Sequence, residues 1–502
     1  MPGRRLGAAS AAALLLVLLT PGRGRAQAAE EVAPASSVTP RIPGPRAVPP
    51  ALRGFPPAET AAAPPDSLPC PQCNPAPRFW LAAADLMLVQ VLPLVFDVVV
   101  LDAPYAKISA TSWRNNLAYP WVWDHDIFVT NQFGHPLQGS MYYNAARSNG
   151  YNFWGSALWP FAGSLTWELF AETEAPSYND FINTSVGGVI LGEALSRLSH
   201  LVLDNTATGS ARTWREIGGA VLNPVGGFTR LVRGETSEIS ANPPAWRPSA
   251  LFGIVDGGYR LSSRALETDD GETEYSQWNA SVLVSYGDPA RDLAGKPFSY
   301  FAIRADLAGP GETGLLNQLS VRGNLAAWPL HANRRHQIAV NLEYDYFNNP
   351  AFVYGGQSVQ VGLVSSIGSP GDTWWGQTNI LLNGVILGAT QTDYRTSEGR
   401  FYDYGPGIGP ILGGRVLYKS RVQATAGYTG LWIQTIDGTG TTHYQDALLL
   451  EGRYWLTATL GLGLGYVGYN RHSQYEDFPD VAEAATFWRA FVSTAFPGLP
   501  GR

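Results

Sequence analysis

The stretch IAVNLEYDYF, residues 338–347, decides the fold. Ile338, Val340, Leu342, Tyr344 and Tyr346 alternate with Ala339, Asn341, Glu343, Asp345 and Phe347, and a period of two places apolar groups on one face of a β-strand and mostly polar groups on the other. The same alternation sets Val282, Val284 and Tyr286 against Ser281 and Ser285, and Phe301, Ile303 and Leu307 against Arg304 and Asp306. Val422, Ala424, Ala426, Tyr428 and Trp432 repeat it against Arg421, Gln423, Thr425 and Thr429. About twelve such segments follow residue 250, near 250–260, 275–286, 298–308, 315–326, 335–347, 354–366, 374–388, 409–419, 421–434, 443–454, 457–470 and 483–496. An even number of strands with one polar and one apolar face is the pattern of a closed transmembrane β-barrel. Turn chemistry separates them at Gly287-Asp288-Pro289, Asn348-Asn349-Pro350, Ser369-Pro370-Gly371-Asp372 and Asp437-Gly438-Thr439-Gly440. Trp374, Trp375, Tyr444, Tyr466, Tyr469 and Trp488 are expected to form an interfacial girdle, and the last strand ends at Phe496. A soluble antiparallel barrel or sandwich is the competing reading.

Composition agrees with the membrane barrel. Only 15% of the 502 residues are charged, against about 25% in typical soluble domains. Aromatics reach 12%, Gly numbers 55, and mean hydropathy is −0.07, as expected when lipid-facing and lumen-facing residues average out. A net charge of −7 without a basic cluster gives no case for nucleic-acid binding.

The chain begins as an exported precursor would. Arg4 and Arg5 precede an apolar run from Leu6 to Thr20, and Ala26-Gln27-Ala28 is a cleavage site, so residues 1–28 read as a signal peptide. Residues 29–78 hold 14 of the 37 prolines and read as a Pro/Ala-rich disordered linker. Its end carries Cys70 and Cys73 as CPQC. A local disulfide is expected there in an oxidising compartment; a redox motif would need a strand and a helix N-terminus around it.

Residues 79–240 read as a helical domain ahead of the barrel at 250–496, giving an α+β chain. FWLAAADLMLVQVLPLVFDVVVL at 79–101 is long enough to span a bilayer, but Asp85, Gln90, Pro93 and Asp97 interrupt it, which favours a buried or interfacial helix. Trp154, Leu158, Phe161, Leu165 and Leu169 fall on one helical face. From Tyr178 to Leu203, Gly188, Gly192 and Ser196 recur every four residues and allow another backbone to approach.

The chemistry-bearing residues lie in these helices. HPLQGSMYYNAARSNGYNFW at 135–154, the run 164–205 and REIGGAVLNPVGGFTRLVRG at 215–234 resemble the bacterial outer-membrane family known as domain of unknown function 3943. The resemblance implies an outer-membrane protein and no particular activity. A fainter similarity, to VanZ-like membrane proteins, rests on His135, Glu168, Ser177-x-x-Asp180-x-x-Asn183, Gly187 and Gly192. His135, Glu168 and Asp180 are the candidate catalytic residues. Asn144, Arg147, Glu172, Asn183, Glu193 and Arg197 are expected to join them in one polar cluster, with Glu193 and Arg197 paired at i, i+4. Asp180 is an alternative N-cap. Ionisable groups in so apolar a setting must pair, either for structure or for function. WDHD at 123–126 is a possible cation site or a polar loop. The seven histidines show no metal-ligand spacing on a helix, so no metal or cofactor is expected.

The function expected from this pattern is an outer-membrane barrel in transport or envelope organisation, with outer-membrane lipids and the barrel-assembly machinery as partners. A lipid-modifying enzyme using the His/carboxylate group and a partner-binding envelope module are the alternatives. The helices are expected to plug the barrel or cap its periplasmic mouth, with 178–203 entering the lumen against Arg304, Asp306, Glu343, Asp345 and Arg421.

Overall fold

The computed structural model describes residues 68–266, 272–309, 315–368, 372–397 and 399–496. The expected signal peptide, most of the Pro-rich stretch, part of the 369–372 turn and the tail after Phe496 lie outside these residues. Twelve strands close into an antiparallel barrel in sequence order. They are β1 Leu251–Leu266, β2 Glu272–Tyr286, β3 Phe301–Gly309, β4 Leu316–Pro329, β5 His336–Asn348 and β6 Val353–Ile367, then β7 Trp374–Gln391, β8 Tyr402–Tyr418, β9 Val422–Gln434, β10 Thr441–Trp455, β11 Leu460–Tyr475 and β12 Val481–Phe496. Each alternating segment corresponds to one strand. β8 begins before the expected residue 409, because Gly405, Gly407 and Gly409 occupy one face and leave no side-chain alternation to read.

One contact fixes which face is inside. Arg304 of β3 reaches Glu451 of β10, on the opposite wall, at 3.8 Å, a path that runs only through the lumen. Arg304 and Asp306 therefore point inward, and so do Ser320, Arg322, Glu343 and Asp345, which share their register. Phe301, Ile303, Leu319, Val321, Leu342, Tyr344 and Tyr346 point outward. Elsewhere the outer face is an exposed apolar belt that includes Leu261, Ile380, Leu382, Leu464 and Trp488. Of the six expected girdle aromatics, Trp375 and Tyr469 instead point inward, packing with Trp455 and Leu417 and with Phe352 and Phe487 respectively.

Three groups of side chains occupy the lumen. At the end holding Leu251 and Phe496, the near end, Leu293 packs among Ala339, Val364, Leu381 and Ile411; it follows a short helix, Pro289–Asp292, in the β2–β3 connection. The middle is ionic. Arg453 bonds Asp256 at 2.8 Å, Arg304 bonds Asp306 at 2.8 Å, and Arg489 pairs with Glu451. At the far end Phe352, Tyr354, Ile433 and Phe487 meet.

The helices are α1 Phe79–Val99, α2 Ala110–Ala118, α3 His135–Arg147, α4 Phe153–Phe170, α5 Tyr178–Ile182, α6 Gly188–Val202, α7 Gly209–Leu222 and α8 Pro224–Val232. π-helical turns at Thr130–Gly134 and Asn183–Gly187 lead into α3 and α6, so residues 178–202 form one helical rod about 37 Å long. α3 and α6 touch most closely where Gly139 meets Gly188: a Cβ on Gly188 would stand 2.4 Å from the Gly139 carbonyl carbon.

This bundle stands on the outer wall of the barrel. Tyr143 of α3 and Val189, Ile190, Leu191 and Ala194 of α6 pack with the outward Tyr286, Phe301, Val321, Tyr344 and Tyr346. Toward the far end Trp123, Phe128 and Ile182 cover Leu387, Ala389, Tyr402 and Tyr404. The expectation that 178–203 plugs the lumen, or that the helices cap its mouth, is thus corrected. Ionic and aromatic contacts cross the lumen, and the outward faces of β2–β5 carry the aromatic surface that α6 complements. Arg304, Asp306, Glu343 and Asp345 do face the lumen, but Arg304 pairs with Asp306 and Glu343 with Arg322 at 2.9 Å. Arg421 is an exposed turn residue between β8 and β9.

Candidate functional site

A closed, even-stranded antiparallel barrel with a polar lumen and an apolar outer belt is an outer-membrane barrel, so a helical unit fixed to its outer wall is the part that calls for a functional account. Two π-helical turns shape this unit at the far end. Such turns insert one residue into a helix and commonly mark functional positions. The first delivers His135 to the start of α3, and the second follows Asp180. His135 Nε2 stands 3.3 Å from Asp180 Oδ1, and its Nδ1 stands 3.2 Å from Thr184 Oγ1. The Ser177 backbone N–H donates to Glu168 Oε2 at 2.8 Å, and Asn179 donates to Asp180 Oδ1 at 2.8 Å. The three candidate catalytic residues therefore share one site. Asp180 is not the N-cap: Ser177 Oγ accepts from the Asp180 N–H at 3.1 Å.

Glu172 joins this group beside Glu168, with Asn116 donating to the backbone carbonyls of both. Burial, followed by repulsion from Glu168, holds the Glu172 carboxyl well above the usual carboxylate range. In the adjoining loop, crowding by surrounding protein and then the Asp124 charge push Asp126, whose side chain still reaches solvent, up to about 6. These carboxyl groups retain protons that freely solvated ones would lose. WDHD is a structured loop: Asp124 Oδ2 accepts from the Asp126 N–H at 2.7 Å and lies 3.3 Å from Asn131 Nδ2. Among the described residues, no group of three or more His, Cys, Asp or Glu is placed to hold a metal ion. What the arrangement offers is proton exchange between an imidazole and paired carboxyls. The Ser177 hydroxyl is committed to the cap.

The expected single polar cluster is two. Glu193, fully buried, receives Arg147 Nε at 2.8 Å, Arg197 Nε at 2.7 Å and the Tyr143 hydroxyl at 2.7 Å. His135 and Arg147 lie at opposite ends of α3, about 18 Å apart, so the Glu193 centre is separate. Its role is docking: Arg197 donates to the Pro297 carbonyl at 3.2 Å and lies over the Tyr286 ring. Asn144 donates to the Gly192 carbonyl, and Asn223 donates to Asn144. Asn183 donates to the Asn131 carbonyl, tying the two π-turns together. Gly192 packs on Tyr143 and Gly188 on Gly139, while Ser196 is buried on the same helix.

Several networks beyond the expected Cys70–Cys73 pair had no sequence signal. Cys70 and Cys73 are disulfide-bonded, and the loop they close is tied to the helices: Asn205 donates to Gln72 at 3.0 Å, and Gln72 also bonds Glu235. Arg78 and Ala76 contact the α3–α4 connection, so residues 68–78 pack on the helical unit and are not free linker. Arg212, Glu216 and Arg230 complete that network. In the lumen, His443 bridges Ser473 (2.9 Å) and Asp403 (3.1 Å), all three buried. Its parts come from β8, β10 and β11, which no local spacing reveals.

Residues 120–225 match the family model of a domain of unknown function, DUF3943. The match covers the α3–α6 core and the carboxylate site. A sequence comparison with curated proteins finds no match. Solved structures that resemble the chain include an outer membrane channel from Pseudomonas putida F1, with 10% identity, 49% of this chain and 95% of that one covered, and a TM-score of 0.27. The outer membrane channel DcaP of Acinetobacter baumannii shares 13% identity over 49% and 96% of the two chains, with a TM-score of 0.21. The translocator domain of autotransporter NalP from Neisseria meningitidis shares 10% identity over 49% and 88%, with a TM-score of 0.25.

Proposed function

We propose that the protein serves the cell envelope from the outer membrane through the helical unit on its wall, and not by conducting solutes through its lumen. One observation carries this reading: ionic and aromatic contacts run from wall to wall across the lumen, whereas the His135–Asp180 site belongs to the helices outside it. Export by the signal peptide at 1–28 and insertion by the barrel-assembly machinery, acting on a last strand that ends in Phe496, belong to the same proposal. In planar bilayers the purified full-length protein is expected to give no steady conductance. A stable open channel would replace this reading with transport.

A second reading, modification of an envelope lipid, is favoured by the 3.3 Å contact of His135 with Asp180 beside Glu168. Imidazole at such a place takes a proton from an attacking hydroxyl, and the carboxylate steadies the resulting cation. Replacing His135 by Ala while the barrel still assembles should then change the lipid profile seen by mass spectrometry. An unchanged profile removes the enzyme.

A further inference from the structure

We propose that the hydrocarbon of the outer membrane surrounds the helical bundle as well as the barrel, so that α1, α4 and the 178–202 rod cross the bilayer beside the strands. The outward faces of β9–β12 form an apolar belt exposed to whatever surrounds the barrel, which Leu261, Ile380 and Leu382 continue on β1 and β7, and the bundle covers part of the same face on β2–β8, from Phe301 to Tyr404. Helices packed directly on a lipid-facing wall, beside exposed residues of its belt, stand at the depth of the lipid.

Their composition fits that depth. α1 carries an 18-residue window of mean hydropathy 1.9, only 28% of it buried. At 1.5 Å per residue, α1 is about 31 Å long and α4 about 27 Å, against a hydrocarbon core of about 30 Å. The helices are also turned inside out relative to a water-soluble bundle. Asp85, Gln90 and Asp97 of α1 are buried toward the protein, where Asn149 and Thr229 bond Asp85 and Gln90 donates to Thr166 and the Gly163 carbonyl. Trp80, Leu92 and Leu158 face away with exposures of 82%, 60% and 69%. Polar groups inward and apolar groups outward is the membrane pattern. The occupant is lipid hydrocarbon because the wall the bundle stands on is itself lipid-facing: Val361, Ile380 and Leu382, beside the strands that the helices cover, are exposed apolar residues of the barrel's belt.

Spin labels at Leu92→Cys and Leu158→Cys, with Leu464→Cys on the barrel belt as reference, test this in full-length protein carrying Cys70→Ser and Cys73→Ser. The protein is reconstituted in vesicles of phosphatidylethanolamine and phosphatidylglycerol, and barrel closure is checked by heat-modifiable migration. High collision rates with oxygen and low rates with a water-soluble nickel chelate, matching those at Leu464, are the expected result. High nickel accessibility at both helix sites with Leu464 shielded overturns the proposal, because the helices are then in water. Low accessibility to both probes overturns it equally, since a second copy or another protein then covers the face. Labels at Val95 and Leu165 give the same reading should either first variant fail to close.

Discussion

Glu193 is fully buried and holds two guanidiniums whose side chains keep only a partial exposure, and its removal leaves both without this counter-charge. Breaking a buried ion pair by taking one partner costs about 3–5 kcal/mol, so Glu193→Gln should lower the urea midpoint of the helical signal while the barrel stays closed. A midpoint within error of the parent would mean that Arg147 and Arg197 reach solvent. The i, i+4 spacing made Glu193 and Arg197 legible as a pair. Arg147 arrives from another helix, and Tyr286, which completes the seat, from a strand. Asp126 supplies the pH-dependent counterpart. Its pKa is raised by crowding from surrounding protein and the Asp124 charge from the ordinary 3.8 to about 6, so within that window the unfolded chain loses a proton that the folded chain keeps. Stability must therefore fall as pH rises through the window and level off above it. Asp126→Asn should flatten this slope between pH 4 and 6, and an unchanged slope would show that other groups account for it.

At the scale of elements, the π-turns and the Gly139–Gly188 crossing set how the site is assembled. Sequence periodicity identified the 178–203 helix and its small-residue face, because helical spacing is local information. It did not identify the partner, since Gly139 sits in a polar run with no comparable repeat. Gly188→Leu places a side chain where a Cβ alone would stand 2.4 Å from backbone. Overpacking of this kind costs about 1–3 kcal/mol or more, and here the neighbour is main chain, which cannot turn aside. The variant is expected to separate α6 from α3, seen as faster amide exchange across 135–147, with β-sheet content by circular dichroism unchanged. Retained protection would show that the two helices can shift apart without loss. The strands were legible for the same reason as the helix, yet their outward residues were not fully so. Tyr344 and Tyr346 read as one apolar face whether lipid or helix covers them.

For the whole molecule, alternation gave the closed barrel but left open which side of its wall the helices take. Both sides present what a helix can use, and cross-lumen contacts such as Arg304 with Glu451 tell them apart. Disulfide crosslinking checks the outcome. In a Cys70→Ser, Cys73→Ser background, cysteine pairs joining 189 or 190 to the outward positions 321 or 344 should form, while 192 paired with the inward 343 should not. The reverse pattern would return the helix to the lumen. The inward-turned polar residues of α1 also bear on the route the chain takes to its destination. A protein of the outer membrane must first cross the inner one unfolded, when Asp85 and Asp97 have none of their folded partners. Each buried carboxylate then opposes lateral release from the translocation channel by up to about 3 kcal/mol, depending on its depth. Asp85, which Asn149 and Thr229 hold in the finished bundle, and the inward-turned Asp97 thus keep α1 from stopping midway in the wrong membrane.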